Sequence, residues 1–99
     1  MYGTIARLRV KAGHEEALRE HLKQYKPELA SGFVAAALYA ADEGRGTHWL
    51  AVVFESKEQY QANAGSPEQD VRYQEFRGLL DADPEWHDGE VTLRATASD

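Results

Sequence analysis

Tyr60, Asn63 and Arg72 follow a run of apolar residues that ends at Phe54. A phenol, an amide and a guanidinium can together hold an oxygen of an organic ligand. Tyr60 would hydrogen-bond a phenolate or carbonyl oxygen, Asn63 would orient a ligand oxygen, and Arg72 would neutralise negative charge in a site with little water. Each also has a purely structural use. Tyr60 can fill the core with its hydroxyl at the rim, Asn63 can cap the break before Ser66, and Arg72 can pair with Glu68 or Glu75. Around them are the rings of Phe33, Tyr39, Phe54, Tyr73 and Phe76. These either pack solid or line a cavity suited to a flat aromatic guest held by few polar contacts. Alternation with Leu50, Val52 and Phe54 puts His48 on the same side, at the mouth.

Other chemistries lack their residues. The histidines, at positions 14, 21, 48 and 87, are scattered, whereas tetrahedral zinc needs three or four converging ligands, so no metal site is expected. His87 beside Asp88 suggests a general base, but neighbours on an extended chain point to opposite sides. Trp86-His87-Asp88-Gly89 therefore reads as a structural turn anchored by Trp86, with His87 kept as a minor candidate base. No phosphate loop, nucleophile elbow or dinucleotide fingerprint is present. The chain has 11 basic and 17 acidic residues, a formal net charge of −6, which argues against binding nucleic acid or anionic membranes. Without cysteine it forms no disulfide and has no thiolate nucleophile. No stretch is long and apolar enough to span a bilayer and no signal-peptide layout opens the chain, so a cytoplasmic location is expected.

The positioning elements follow from periodicity. Tyr2 to Val10 alternates, with Thr4, Ala6, Leu8 and Val10 on the more apolar face, and predicts a first strand. A helix follows, with Ala17, Leu18, Leu22 and Tyr25 on its apolar stripe and Glu15 and Glu16 near its positive end, stopping before Pro27. Phe33 to Ala41 is rich in alanine, so helix competes on propensity. Gly32 before it and Asp42-Glu43-Gly44-Arg45-Gly46 after it favour a strand and hairpin. His48 to Glu55, nearly continuous in apolar residues, predicts a strand covered on both faces. Ser56 with Gln59, and Ser66-Pro67 with Gln69, read as two helix starts. They give helices over about 57–64 and 67–81, the second turning Val71, Phe76, Leu79 and Leu80 inward. Asp83-Pro84 ends it, and Glu90 to Thr96 alternates as a last strand.

This order gives a single α+β domain over residues 1–96 with a short tail at 97–99: a ferredoxin-like split βαβ plan with a four-stranded antiparallel sheet and helices on one face. The opposite face would expose Ile5, Trp49, Ala51 and Val53. A homodimer packing two sheets together would bury them.

Val10-Lys11-Ala12-Gly13-His14-Glu15-Glu16, Gly32-Phe33, Phe54-Glu55-Ser56-Lys57-Glu58-Gln59-Tyr60 and Ser66-Pro67 resemble the antibiotic biosynthesis monooxygenase domain, a family of small dimeric α/β barrels. Pro84-Glu85-Trp86-His87-Asp88-Gly89-Glu90 looks like the ending of its actinobacterial members. The similarity runs from about Tyr2 to Val91. For quinone-forming members it implies oxidation of a phenolic polyketide by dioxygen without metal, flavin or other cofactor. The resemblance matches Tyr60 and Asn63 to the family's tyrosine and asparagine and puts its arginine near Arg72 or Tyr73. Phe54, Leu50 and Tyr39 stand where those members have tryptophan, asparagine and histidine. Ala6, Asn63 and Tyr73 stand where haem-degrading members have asparagine, tryptophan and histidine, which argues against haem degradation. The resemblance thus implies a cofactor-independent monooxygenase acting on a small aromatic compound. In it Tyr60, Asn63 and Arg72 stabilise the substrate anion, and Tyr39, His48, Leu50, Phe54, Tyr73 and Phe76 shape the pocket. The alternative is a non-catalytic dimer that binds a small hydrophobic ligand.

Overall fold

The period-two alternation of the N-terminal segment becomes the central strand β1 (Tyr2–Arg9), with Thr4, Ala6 and Leu8 buried on one face and Ile5 exposed on the other. A computed structural model describes residues 1–24, 32–44, 46–64 and 67–97. The elements after β1 are α1 (Glu15–Gln24), β2 (Phe33–Ala40), β3 (Thr47–Phe54), α2 (Lys57–Ala64), α3 (Pro67–Arg77) and β4 (Glu85–Glu90). The sheet is antiparallel throughout in the order β2-β3-β1-β4, the expected α+β, ferredoxin-like arrangement. No helix among the described residues is long and apolar enough to cross a membrane.

The core lies on the helix side of the sheet. Ala6, Leu8 and Val10 of the β1 segment and Leu50 of β3 pack against Leu18 of α1, Phe76 of α3 and Leu80 just beyond it. Leu8 and Leu18 are fully buried, each contributing roughly 1.5–3 kcal/mol by leaving water. The predicted hairpin joins β2 to β3: the Thr47 N–H donates to the Gly44 carbonyl at 3.0 Å, and the Gly46 carbonyl accepts from the Val10 N–H at 2.7 Å. Gly46 has φ of 78°, and a side chain there would press on the Val10 carbonyl, so glycine is required twice over.

Three expectations about the helices need correction. Val71 is exposed, because five residues separate it from Phe76 and turn it about 140° away around the helix. Ala17 is likewise exposed, one position round from Leu18. Helix α3 stops at Arg77 rather than residue 81; Leu79 and Leu80 lie in the turn beyond it, where Leu80 bridges to Val10. The expectations for Tyr25, Pro27, Ser66 and the last two residues lie outside the described residues.

The last strand is displaced most. Glu85–Glu90 pairs with β1, setting Ala6 opposite Trp86, Thr4 opposite Asp88 and Gly3 opposite Gly89. Trp86 to Gly89 is therefore extended strand and not a turn, and the alternation of Val91, Leu93 and Ala95 forms no strand. Strand β4 is an edge, hydrogen-bonded on one side only, where aspartate and glycine are tolerated. An Arg7–Glu85 ion pair at 3.3 Å joins the two strands at the end where β4 begins.

The outer sheet face carries Ile5, Ala37, Tyr39, Trp49, Ala51 and Val53, and no described element covers it. Ile5 is 53% and Tyr39 61% exposed, so the double cover expected for β3 is not supplied by the described residues.

The opposed glycines give a direct check. A Cβ on Gly3 would collide with the Val52 carbonyl of β3, whereas one on Gly89 meets open space. We expect Gly3→Ala to cost about 2–3 kcal/mol in urea denaturation and Gly89→Ala to leave stability within about 0.5 kcal/mol of wild type or raise it. Equal effects would contradict the register.

Candidate functional site

Strand β3 ends at Phe54, and two residues later Ser56 caps α2. Its hydroxyl accepts from the Gln59 backbone N–H at 3.1 Å and donates to Gln59 Oε1 at 3.0 Å, the predicted helix start. This short connection fixes where the first turn of α2 points. The Tyr60 ring stands edge-on to Phe54 at 5.8 Å and lies 5.4 Å from Tyr2, while Phe33 meets Phe54 edge-on at 5.8 Å. Such edge-to-face contacts favour one relative setting of the rings beyond burial alone.

The Tyr60 hydroxyl donates to Asp88 Oδ1 at 3.0 Å, joining α2 to the edge strand. Asp88 faces this way because it stands opposite Thr4, whose side chain points to the helix side. Thr4 is 5% exposed, and its hydroxyl has no hydrogen-bond partner among the described residues. Burial pushes the Tyr60 phenol up to about 12; the hydrogen bond to Asp88 and its negative charge act the same way, and the Thr4 hydroxyl, a donor toward a phenolate, opposes them. Tyr60 is thus a neutral donor across the physiological range.

Behind this cluster lies a cavity of about 830 Å³ between the helices and the sheet. Its floor is Leu38, Leu50, Val52 and Phe54, with Leu22 from α1 and Asn63 from α2 above. At the α3 side, Phe76 has Tyr73, Trp86 and His21 around it at 6.4, 6.5 and 6.2 Å. Arg72 lines the wall there. The cavity is aromatic and aliphatic over most of its surface, with Thr4, Tyr60 and Asp88 forming one polar group in its lining and His21 and Arg72 standing on the α3 side. Such a space can grip a flat ring on its faces and read one polar substituent at its edge. Among the described residues no cluster of His, Asp and Glu could hold a metal ion.

Seven predicted site residues therefore converge on one cavity: Leu50, Phe54, Tyr60, Asn63, Arg72, Tyr73 and Phe76. Two do not. Tyr39 pairs in register with Trp49 on the outer face, because β2 carries a bulge between Phe33 and Ala35 that reverses which positions face the helices. His48 is on the helix side and buried, but it is not part of the cavity wall; its Nδ1 lies 3.3 Å from the Gly46 carbonyl. His87, the minor candidate base, stands opposite Ile5 and so on the outer face. The expected opposition of His87 and Asp88 holds, with the carboxylate on the cavity side.

Thr4, Trp86 and Asp88 line the cavity and were not anticipated as site residues. Placing the last strand five residues late hid the last two. The signal was available in Pro84, which is buried and leads directly into the strand, with Trp86 and Asp88 then sharing a face.

A model of the antibiotic biosynthesis monooxygenase family matches residues 1–71. None of the curated proteins matches the chain in sequence. Three solved structures, each described as a candidate antibiotic biosynthesis monooxygenase, superpose on it. The Bordetella bronchiseptica protein has a TM-score of 0.79 at 20% identity, covering 93% of this chain and 97% of its own. The Chloroflexus aurantiacus protein gives 0.79 at 22%, covering 96% of both chains. The Caulobacter crescentus protein gives 0.81 at 12%, covering 93% of this chain and 90% of its own. At these identities the likeness establishes the fold alone.

The raised Tyr60 ionisation has a measurable sign. Between the unfolded value near 10 and the folded value of about 12, the unfolded chain has lost this proton and the folded chain keeps it, so stability falls as pH rises. Wild type should lose stability more steeply than Tyr60→Phe across that window in urea denaturation. Parallel curves would contradict the placement of the phenol.

Proposed function

Because the chain belongs to the antibiotic biosynthesis monooxygenase family, we propose that it oxidises a small hydroxyaromatic compound with dioxygen inside this cavity. One observation carries the reading: an aromatic-walled space of about 830 Å³ with a phenol–carboxylate pair at one end. The walls grip the ring faces of the guest and exclude water. Tyr60, held neutral, turns its hydroxyl from Asp88 to the guest and with Asn63 stabilises the charge that develops on the guest's oxygen. The Asp88 carboxylate so released accepts the proton, and Arg72 offsets the charge from α3. The electron-rich anion then reduces dioxygen. For an anthrone-like methylene the balance is complete: two C–H bonds break, one oxygen atom becomes the new carbonyl and the other leaves as water. The four electrons come from the substrate, so the reaction requires no external reductant.

The outer face supports a second part of the reading. We propose that two copies pack these faces together, burying Ile5, Tyr39 and Trp49 and giving β3 the second cover its apolar sequence requires. This leaves each cavity within its own protomer on the helix side.

Oxygen uptake and product absorbance with a series of anthrones and naphthols test the chemistry. Tyr60→Phe should reduce turnover by about 10–100-fold while changing ligand affinity by less than about 3-fold. Wild type that binds the series without consuming oxygen would instead establish a binding protein. Sedimentation tests the assembly: wild type should be a dimer and Trp49→Glu a monomer, and a monomeric wild type would contradict the sheet-to-sheet pairing.

A further inference from the structure

We propose that Thr4 and Asp88 form a subsite for one uncharged hydroxyl group on the cavity's guest, with Asp88 accepting its proton in a hydrogen bond and Thr4 donating to its oxygen. The inference rests on the cavity being the binding site for a hydroxyaromatic compound and specifies which substituent it selects. Thr4 and Asp88 are direct cross-strand partners on β1 and β4, and both line the cavity. The Thr4 hydroxyl is buried and, although near enough to the Tyr60 phenol to act on its ionisation, meets no partner in hydrogen-bond geometry, an arrangement that costs stability unless something fills it. Asp88 receives one hydrogen bond, from Tyr60, and a carboxylate has room for several more. The two side chains therefore offer a free donor and a free acceptor side by side.

That pairing has a definite complement. A hydroxyl gives a proton to Asp88 and takes one from Thr4. A methoxy group can satisfy Thr4 alone and leaves the carboxylate facing an apolar atom. A carboxylate in the same place meets the Asp88 charge and is repelled. Tyr60 holds Asp88 in position by donating to its other side, which gives the subsite a fixed geometry before the guest arrives. At the opposite margin Arg19 is paired with Glu16 and Lys23 with Glu20, and Arg72 stands on the α3 wall, so the charge that belongs to the subsite is that of Asp88.

The probes are 2-naphthol, 2-methoxynaphthalene and 2-naphthoate, with affinities measured by calorimetry near neutral pH. Wild type should bind the naphthol at least about 10-fold more tightly than the methoxy compound and the naphthoate most weakly. Thr4→Val and Asp88→Asn should each shrink the naphthol preference to under about 3-fold, chiefly by weakening naphthol binding. Thr4→Val keeps the side-chain shape and removes the unpaired hydroxyl, so it should melt no lower than wild type, which separates loss of the subsite from loss of the fold. Equal binding of naphthol and methoxynaphthalene by wild type, or an undiminished preference in both variants, overturns the subsite. Naphthol selectivity without oxygen uptake overturns the oxygenase reading and leaves the subsite standing; oxygen uptake without selectivity does the reverse. Failure of every probe to bind overturns both.

Discussion

The hydroxyl of Tyr60 on α2 and the carboxylate of Asp88 on β4 meet at 3.0 Å across a gap that no backbone hydrogen bond spans. Strand β4 is an edge, attached through its main chain only to β1, and α2 is a helix of eight residues with no buried side chain of its own. Neither element is held strongly by its own hydrophobic surface. Their mutual hydrogen bond fixes the end of the cavity, keeps Asp88 turned inward and keeps Tyr60 protonated. The rings of Tyr2, Phe33 and Phe54 set the phenol's direction, so the polar contact is aimed by apolar packing. A charged acceptor makes the bond stronger than one between neutral groups, and partial burial limits competition from water.

A chain of this size has enough helix to cover one side of its sheet incompletely. The core of Leu8, Leu18, Leu50, Phe76 and Leu80 closes the end near α1 and the turn after α3. Toward Phe54 and Tyr60 the helices stand off from the sheet, and a cavity replaces solid packing. The same shortage leaves the outer face open, where Ile5, Tyr39 and Trp49 meet solvent. Cavity and apolar face thus have one origin among the described residues: three short helices laid against four strands. The split βαβ topology places the junction after β3 beside the central strand and the last strand, bringing Thr4, Tyr60 and Asp88 together from distant parts of the sequence.

The strands with strong alternation or turn chemistry were readable before the fold was known. β1 declared its face through Thr4, Ala6 and Leu8, the hairpin through Gly44 and Gly46, and α2 through the Ser56–Gln59 cap. These are local signals, fixed by neighbours within a few residues. β4 was misplaced because Asp88-Gly89 carries turn chemistry and Val91, Leu93 and Ala95 alternate more cleanly; pairing with β1 overrode both. Tyr39 was assigned to the wrong side because a bulge near Phe33 shifts the alternation by one, and nothing in the alanine-rich run announces it. Asn63, Tyr60 and Phe54 sit on one capped junction, so that half of the site was visible. The half supplied by Thr4 and Asp88 depends on strand register, a long-range property.

The polar end of the cavity depends on the phenol and the carboxylate acting as a coupled pair. A double-mutant cycle in urea denaturation, combining Tyr60→Phe with Asp88→Ala, isolates their interaction from the separate effects of each truncation. We expect a coupling of about 1 kcal/mol, as befits a half-exposed hydrogen bond to a charged acceptor. Stability changes that add to within about 0.3 kcal/mol would mean the two groups do not hold one another, and the polar end of the cavity would lose its physical basis.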